Sequence, residues 1–600
     1  MADTIYASFA ETAARYPQQA ALMNRVDGRY RPTTFAALAR MIDEVAAGLS
    51  ARGVRPGDRV GIYSYNRPEW VVADLAIMKL GAVVVPVYHT LPAEAVGYIL
   101  RDAEVTHLVV ETPELFTVVL SVLESAPLLK DVIVLFSHGP ESRAGKTLFS
   151  FELLRASGAE ALARDPGLRA SHESAPDDLV TVVYTSGTTG EPKGTMLTHA
   201  NILSNVHAAI RMFKLGPADS LVSFLPLCHM FERTCGYYSM LLSGATIAYA
   251  ESLQTIAQDV REVKPTLVIL VPRVLEKVYN TVTEKVLAGP ALPRKLMLAA
   301  LRTYGRWARL AAKKQRPGLG LRLKHWLLGL LVVRKLHKLG GGRIRLIVSG
   351  GAPLDRKLAR IFSNLGFTIL EGYGLTETAP VVCAGLPDDV RVGTVGKPFP
   401  GVEVRIADSG EILVRGPNVM KGYLNKPKET AEVIDAEGWF HTGDLGRFDD
   451  HGNLIITGRI KEIIVNSYGK NIAPVPIEQA LTGSKYIEQA MVIGDRRPHL
   501  TALIVPSRLV LDEYVREQGI AADPSGRLLD NPRVRSLYDD EIRHILAGFA
   551  QYEQVRAFRL IPEPFTVENG LMTPTLKLRR PRVELAYRDE IERMYGEKQL

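Results

Sequence analysis

The pattern of apolar and polar positions predicts alternating strands and helices through the first several hundred residues. Residues 69–80, "EWVVADLAIMKL", lie between Pro68 and Gly81, which are typical of the start and the end of a helix. The β-branched run "AVVVPVY" follows and predicts a buried strand. Because strand, helix and strand alternate, we expect an α/β fold class with parallel sheets covered by helices.

The pattern changes at Gly401, where "GVEVRIADSGEILVRG" alternates with a period of two residues. Turn residues at 408–410 divide this segment, so it predicts a hairpin. The residues after "GNLIITGRIKEIIVNSYG" have the mixed pattern of a small α+β unit. We therefore predict a domain boundary near Gly458, with a large N-terminal domain at 1–457 and a small C-terminal domain at 458–600.

Composition fits a globular protein of several folding units, since the 600 residues are 46% hydrophobic and 23% charged. The net charge of +8 is concentrated in one place. Residues 285–345 contain 16 Lys or Arg and no Asp or Glu, and the rest of the chain is mildly acidic. No nucleic-acid-binding module accompanies this basic insert, so a nucleic-acid partner is not expected.

The compartment is predicted from what the sequence lacks. The first 20 residues have no basic start followed by an apolar block, and no apolar run reaches about 18 residues. The three cysteines have neither metal-ligand spacing nor the even number of a disulfide framework. We expect a cytoplasmic protein, and a peripheral position on the inner membrane face stays open.

The basic insert has a helical pattern over residues 293–313. Basic residues recur on one face, and an apolar stripe adjoins it; the basic residues are Lys295, Arg302, Arg306, Arg309 and Lys313, and the stripe is Met297, Leu301, Tyr304 and Ala308. A second stretch at 321–339 is apolar with basic ends and too short to span a bilayer. Three interpretations stay open: docking on anionic lipid, a solvated face over the core, and attraction of an anionic cosubstrate.

The stretch "TSGTTGEPKG" follows an apolar run and has the composition of a phosphate cradle. Glycines allow several N–H groups to point at one anion, while hydroxyls and a lysine add donors and positive charge. The spacing of a Walker loop is absent, and a solvated surface linker is the alternative. The candidate phosphate ligands are Thr185, Ser186, Gly187, Thr188, Thr189, Gly190 and Lys193.

Read in order, the motifs resemble those of the ANL adenylating superfamily, which includes acyl-CoA synthetases, peptide-synthetase adenylation domains and luciferases. The matching segments are "YTSGTTGEPKG", "SGGAPL" at 349–354, "EGYGLTET" at 371–378, "GWFHTGDLG" at 438–446, "GRIKEIIVNSYGKNIAP" at 458–474 and "NGLMTPTLKLRR" at 569–580. "LPLCHMFERTCGYY" at 225–238 and the long insert are most similar to the long-chain fatty acyl-CoA synthetase branch.

This resemblance implies a fold and a two-step reaction. The fold is a large N-terminal domain of parallel sheets covered by helices, with a small β-barrel-like subdomain and a small mobile α+β C-terminal domain. In the reaction a fatty acid attacks ATP to give an acyl-adenylate and pyrophosphate, and coenzyme A then displaces AMP. ATP, Mg²⁺ and coenzyme A are the implied cofactors and cosubstrates.

The resemblance also assigns roles to residues. Glu377 and Thr188 are expected to bind Mg²⁺. Asp444 is expected to bind the ribose, and Arg459 is expected to lie near the nucleotide. Gly351, Ala352, Pro353 and Tyr373 would form the adenine pocket, and Gly372, Gly374 and Thr376 would bind the nucleotide within the same motifs. Lys577 is the expected adenylation lysine and His229 lies beside the acyl carbonyl, with Phe231, Tyr237 and Met240 lining an acyl tunnel. Lys461 matches the interdomain hinge, and Gly469 and Lys470 lie in a loop that approaches the thioester site.

Two other functions stay open at this stage. One is a fatty acyl-AMP ligase that loads a carrier protein, and "ADSLVSF" at 218–224 resembles a carrier motif, although its setting predicts a turn into a strand. The other is a lipid or nucleotide binder without catalysis, which the complete motif set disfavours.

Overall fold

The computed structural model describes residues 2–165, 171–185, 191–252, 254–287, 290–312, 315–520, 528–566, 569–572 and 578–596. Within these residues the chain divides into two compact units. The first consists of 1–405, 413–441 and 449–454, and the second of 406–412, 442–448 and 455–600. No described helix is both long enough and apolar enough to cross a membrane.

Two large, mostly parallel sheets form the first unit, as the alternating pattern predicts. In spatial order the strands of the first are Lys397–Pro398, Val381–Ala384, Ile369–Gly374, Leu346–Ser349, Leu267–Leu270, Ser220–Ser223, Thr246–Tyr249, Ala20–Val26 and Arg29–Thr34. Those of the second are Gly422–Tyr423, Lys193–Thr198, Leu179–Thr185, Val83–Val87, Arg59–Tyr63, Val105–Val110, Asp131–Val134, Lys146–Ser150 and Glu141–Arg143. Antiparallel strands lie only towards the ends of both orders among the described strands.

The helix predicted at 69–80 is observed as Pro68–Lys79 and is buried on nearly every side. It contacts Arg59–Tyr63 and Val83–Val87 of one sheet and Ala20–Val26 of the other. A helix covered on both sides needs apolar residues all round, which explains its sequence. The strand Val83–Val87 that follows is buried at every position, as its β-branched run predicts.

The remaining helices of the first unit surround the sheets and form the insert. The α-helices are Ile5–Arg15, Phe35–Ala51, Ala93–Asp102, Pro113–Val122, Phe151–Arg164, His199–Phe213, Ser239–Leu242, Ile256–Val263, Pro272–Leu287, Ala291–Ala312, Leu319–Leu328, Arg334–Leu339, Arg356–Asn364 and Pro427–Val433. Two π-helices span Phe231–Tyr238 and Gly329–Val333, and 3₁₀ turns span Leu123–Ser125 and Thr376–Thr378. The helical prediction at 293–313 is confirmed by Ala291–Ala312.

A four-stranded sheet follows the predicted change of pattern near Gly401. Its strands are Glu403–Ile406, Glu411–Arg415, Phe440–Phe448 and Leu454–Arg459. The predicted hairpin turn is present, since Gly410 donates its N–H to the Ala407 carbonyl and has a φ of +83° that suits glycine.

The C-terminal part of the second unit is α+β, as predicted. Ile487–Ile493 runs antiparallel to Leu500–Pro506, which runs parallel to Val555–Leu560. A two-stranded pair joins Ile464–Val465 and Asn471–Ile472. The α-helices are Pro474–Thr482, Arg508–Glu517, Pro532–Leu546, Arg580–Ala586 and Arg588–Gly596, with 3₁₀ turns at Ile460–Glu462, Leu528–Asp530 and Gln551–Glu553.

Candidate functional site

The predicted phosphate loop connects two antiparallel strands, Leu179–Thr185 and Lys193–Thr198. Thr185 and Lys193 are register partners, and the Thr185 hydroxyl donates to the Lys193 carbonyl at 3.5 Å. Both residues, together with Gly194, therefore belong to the strand ends rather than to the loop. The loop residues Ser186, Gly187, Thr188, Thr189 and Gly190 lie outside the described residues. The phosphate cradle remains a prediction for them.

Tyr423 brings two predicted site residues together. Its strand pairs with Lys193–Thr198, and the Lys193 Nζ lies 4.9 Å from the centre of the Tyr423 ring. The Tyr423 hydroxyl donates to Glu377 Oε1 at 2.9 Å. Burial, with the nearby Glu377 carboxylate, raises the pKa of Tyr423, so the phenol stays a proton donor. No sequence pattern pointed to Tyr423, because the contact depends on a strand pairing more than 200 residues away.

The glycine-rich motifs meet at one sheet edge. Leu346–Ser349 and Ile369–Gly374 are adjacent parallel strands, so both following segments leave from their carboxyl ends. The first of these segments carries Gly351, Ala352 and Pro353, and the second carries Thr376, while Tyr373 lies in the strand just before the second segment. Ser349 Oγ is buried there without a hydrogen-bond partner among the described residues, which suits a site that receives a polar ligand.

Three glycines in these motifs stand where a side chain would be strained or would clash. Gly351 has a φ of +78°, a left-handed conformation that side chains rarely adopt. A Cβ at Gly350 would lie 2.8 Å from the Phe231 ring, and one at Gly374 would lie 1.8 Å from the Pro380 carbonyl oxygen. A Cβ at Gly372 would meet only ordinary contacts. The motif glycines therefore have different reasons for being glycine.

His229 lies just before the π-helix Phe231–Tyr238. The Phe231 N–H donates to His229 Nδ1 at 3.2 Å, and the Tyr88 ring lies edge-on at 6.4 Å between ring centres. The accepting Nδ1 places the proton of the neutral ring on Nε2. Thr234 Oγ1 donates to the Ala379 carbonyl at 3.2 Å. The histidine segment therefore contacts the residue that directly follows the "EGYGLTET" segment, and it contacts the "SGGAPL" segment through Phe231.

A buried ion pair holds the π-helix in place. Arg233 is fully buried and pairs with Asp74, which lies in the otherwise apolar helix Pro68–Lys79. Its guanidinium also donates to the Tyr238 hydroxyl at 2.9 Å and to Thr181 Oγ1 at 2.8 Å. We did not single out these residues from the sequence, although an aspartate inside "VVADLAIM" is a recognisable signal, since a buried charge requires a partner.

Glu232 is a second buried ionisable residue of this π-helix. The Ser223 hydroxyl donates to its Oε1 at 2.6 Å. Burial raises the pKa of Glu232 to about 8, so it is mostly protonated at neutral pH. The predicted tunnel residues Tyr237 and Met240 are fully buried in the same region, and Phe231 is nearly so.

In the second unit, Asp444 and Arg459 are ion-paired with each other. Arg459 Nε donates to Asp444 Oδ1 at 2.6 Å, and a terminal nitrogen of Arg459 lies 3.5 Å from Oδ2. Asp444 lies on the strand Phe440–Phe448 rather than in a turn, and it is buried. An ionised carboxylate is an acceptor-only group, which suits the hydroxyl donors of a ribose.

Three other predicted residues of this unit, Lys461, Gly469 and Lys470, are exposed. Lys461 lies in the 3₁₀ turn Ile460–Glu462, and Gly469 and Lys470 lie in the turn between Ile464–Val465 and Asn471–Ile472. Asn466 Oδ1 accepts the Lys470 N–H at 2.9 Å and holds this turn. Lys577 lies outside the described residues.

The described residues offer few side chains that could bind a divalent cation. No group of three or more His, Cys, Asp or Glu side chains that could hold a metal occurs among the described residues. Magnesium is usually held by one or two carboxylates together with substrate phosphates, and Glu377 supplies such a carboxylate. The residues therefore fit an ion that arrives with a nucleotide.

Two solved structures share the fold of this chain. The adenylation domain of the carboxylate reductase from Mycobacterium chelonae aligns over 99% of this chain and 91% of its own, with a TM-score of 0.78 and 24% identity. ATP-bound MatB from Rhodopseudomonas palustris aligns over 98% of this chain and all of its own, with a TM-score of 0.70 and 23% identity.

Family membership follows from the sequence comparisons. Residues 9–424 match the AMP-binding enzyme family, and residues 461–525 match the AMP-binding enzyme C-terminal domain. The chain is 37% identical to long-chain-fatty-acid–CoA ligase FadD15 of Mycobacterium tuberculosis over 99% of this chain and 97% of that protein. It is 32% identical to human long-chain-fatty-acid–CoA ligase 1 over 95% of this chain and 83% of that protein. The chain belongs to the AMP-binding enzyme family.

Proposed function

We propose that this protein is a long-chain fatty acid–CoA ligase. It uses ATP to convert a fatty acid to an acyl-adenylate, releasing pyrophosphate, and then transfers the acyl group to coenzyme A, releasing AMP. The observation that carries the proposal is the cluster of Lys193, Tyr423 and Glu377 beside the glycine-rich edge of the sheet. Similarity along nearly the whole chain to proteins with this name supports it.

The first step must bring two anions together. The segment from Thr185 to Lys193 would bind the β- and γ-phosphates through N–H groups, hydroxyls and one ammonium group. Lys577 would lie between the carboxylate and the α-phosphate and offset their repulsion as the bond forms. Glu377 would hold Mg²⁺, which would neutralise phosphate charge.

The motifs at 349–354 and 371–378 are assigned to the adenine, and Asp444 in the second unit is assigned to the ribose. Close-approaching glycines and the Tyr373 ring suit a flat adenine. Asp444, held by Arg459, would accept the ribose hydroxyls. Each placement is a proposal about a separate unit of the chain.

The acyl chain would lie beside the buried π-helix. His229 would lie beside the acyl carbonyl, just before the π-helix, where its Nδ1 accepts the Phe231 N–H. Phe231, Tyr237 and Met240 would line the tunnel, where each buried CH₂ contributes about 0.8 kcal/mol. A long chain therefore gains more from this tunnel than acetate does.

The second step would use the exposed residues of the second unit. Lys461 would be the hinge about which the domain rotates. The loop at 467–471, which contains Gly469 and Lys470, would then move towards the site of thioester formation. We also propose a peripheral contact between the basic insert 285–345 and an anionic membrane.

The test is fatty-acid-dependent exchange of pyrophosphate into ATP by the full chain. Lys577→Ala should slow the exchange by roughly 100-fold or more, because a positioned cation acts mainly on the transition state. Lys485→Ala is the matched control, since it removes an exposed lysine from the same unit. If both variants exchange at the wild-type rate, the assignment of Lys577 is wrong.

A second assay separates coenzyme A from a carrier protein as the acyl acceptor. Asp219, in the segment that resembles a carrier motif, ends a turn and pairs with Arg345, and the strand Ser220–Ser223 follows. That arrangement confirms the predicted turn into a strand. We expect acyl transfer to free coenzyme A and none to a carrier protein; the reverse result would favour a fatty acyl-AMP ligase.

A further inference from the structure

The helical run from Leu319 to Leu339 has an exposed apolar face. We call the insert face the six residues Leu319, Leu323, Trp326, Leu327, Leu330 and Leu331. Leu319 is 82% exposed, Leu323 65% and Trp326 61%, and the others are more than two-fifths exposed. Steps of four, three, one, three and one residues put all six on one side of the helix. Such a continuous exposed patch marks an interaction site.

Aromatic contacts fix the rotation of this helical run. The His325 ring stacks between Tyr304 and Trp307, with ring centres 4.0 and 4.1 Å away. The His337 ring stacks on Phe367 at 4.2 Å, and its Nε2 lies 2.9 Å from the Leu365 carbonyl oxygen. Because the opposite side is held in this way, the insert face points away from the rest of the first unit.

Positive charge borders the insert face. Arg322, Lys324, Arg334, Lys335 and Lys338 are all exposed. Of the described basic side chains in 285–345, only Arg345 forms an ion pair, with Asp219. The helix Ala291–Ala312 adds Lys295, Arg302, Arg306 and Arg309, which are also exposed on one face.

The kind of partner can be inferred from the exposed leucines and the unpaired positive charges together. Two copies joined through this face would bring like charges together, which is unfavourable. A nucleic acid would neutralise the lysines and arginines but leave the leucines in water. An anionic bilayer satisfies both, since acyl chains accept the apolar side chains and headgroups accept the basic ones.

We propose that the insert face binds the surface of an anionic lipid bilayer, with its leucines and Trp326 among the acyl chains and the flanking basic side chains at the headgroups. The inference rests on the membrane contact proposed above for 285–345 and not on the ligase reaction. In this arrangement the six residues of the insert face enter the bilayer, and the helices lie parallel to its surface.

The experiment is co-sedimentation of the full chain with vesicles of equal parts phosphatidylglycerol and phosphatidylcholine, and with vesicles of phosphatidylcholine alone. The wild type should bind the mixed vesicles and dissociate as salt is added. Leu323→Gln combined with Leu330→Gln should weaken binding by roughly tenfold, since two apolar side chains no longer enter the bilayer. The matched control is Leu128→Gln with Leu153→Gln, which changes leucines that are 50% and 44% exposed elsewhere.

Charge and insertion are measured separately. Lys324→Gln with Lys335→Gln should weaken binding to the mixed vesicles by about fivefold per charge and should leave binding to phosphatidylcholine unchanged. Tryptophan fluorescence should shift to shorter wavelength on binding, and Trp326→Phe should remove that shift.

The outcomes distinguish the two proposals. If the wild type does not bind mixed vesicles, both the membrane contact of 285–345 and the insert face are wrong. If it binds but the leucine variant binds equally well, only the insert face is wrong. If the wild type dimerises and does not bind vesicles, and the leucine variant is monomeric, then the partner of the insert face is a second copy of the chain rather than a bilayer. Ligation of a monomeric fatty acid should be unaffected in every leucine variant, so these results stand apart from the activity.

Discussion

Two π-helices of the first unit differ in where their charged residues lie: one has a buried ion pair, and the other lies beside exposed basic residues. Phe231–Tyr238 is buried, and its Arg233 pairs with Asp74 beneath the surface. Gly329–Val333 lies in a run whose Leu330 and Leu331 are exposed and whose nearby basic residues face solvent. π-Helical turns are rare and often occur at functional sites. The first arrangement gives fixed positions to polar groups near His229, whereas the second presents an exposed apolar and basic surface.

The difference is energetic. A buried charge is costly unless a partner compensates it, so each member of the Arg233 network depends on the others. Substituting an exposed basic residue changes the free energy of unfolding little, because water solvates the groups that the side chain contacted. Substitutions should therefore change folding in the first region and binding in the second.

The largest expected effect is from Arg233→Leu. It leaves Asp74 buried without its partner, so the free energy of unfolding of the first unit should fall by about 3–5 kcal/mol. The measurement is chemical denaturation followed by circular dichroism.

The matched variant in the other region is Arg306→Leu. Arg306 is exposed on Ala291–Ala312, and the free energy of unfolding should change by less than about 0.5 kcal/mol. If the two arginine variants were equally stable, the contrast between a buried and an exposed basic region would not hold.

Glu232 gives the next largest effect, as a dependence on pH. Its pKa is about 8 in the folded protein against an ordinary 4.5, because burial disfavours the carboxylate. The folded state therefore keeps a proton that the unfolded state has lost, and stability falls as pH rises through this window. Between about pH 5.5 and 7.5 the loss from this group should be about 2–3 kcal/mol.

Glu232→Gln isolates that contribution. The amide stays neutral and its oxygen still accepts the Ser223 hydroxyl. Relative to the wild type, the variant should gain stability steadily from acid to neutral pH in parallel denaturation curves. A constant difference at every pH would mean that Glu232 is not protonated in the folded state.

Local patterns were enough to predict much of the fold. Pro68 and Gly81 bound an apolar segment, and the helix Pro68–Lys79 lies between them. The alternation after Gly401 predicted the turn at 408–410, and the charge spacing at 295–309 predicted an exposed helical face. Each depends on residues a few positions apart, where helix and strand geometry acts directly.

The site contacts could not be predicted in this way, because they depend on pairings distant in sequence. Asp74 and Arg233 are 159 residues apart, and Tyr423 reaches Lys193 only through the pairing of two strands. Lys193 and Glu377, which the motif resemblance named, both contact Tyr423, which it did not name. The roles that the resemblance assigns to Lys193, Glu377, Thr188 and Lys577 remain predictions.

The smallest expected effect tests whether Tyr423 is a positioning residue for the first step. Tyr423→Phe keeps the ring beneath the Lys193 ammonium group and removes only the hydroxyl that donates to Glu377. Losing a hydrogen bond to a carboxylate should lower pyrophosphate exchange by about tenfold, or about 1.4 kcal/mol. Because the carboxylate loses its orientation, the variant should also need more Mg²⁺ to reach half its maximal rate, and calorimetry should show weaker binding of ATP with Mg²⁺.

Tyr30→Phe is the matched control, since the Tyr30 hydroxyl donates at 3.0 Å to the Tyr249 carbonyl and has no assigned role in the reaction. A purely structural contribution of a tyrosine hydroxyl would lower the melting temperature in both variants and leave the Mg²⁺ requirement unchanged. A shift of that requirement in Tyr423→Phe alone would connect the hydroxyl to the reaction. If neither exchange nor Mg²⁺ dependence changed, Glu377 would be oriented by the backbone of its own 3₁₀ turn, and the buried polar contacts would act on folding without reaching the chemistry.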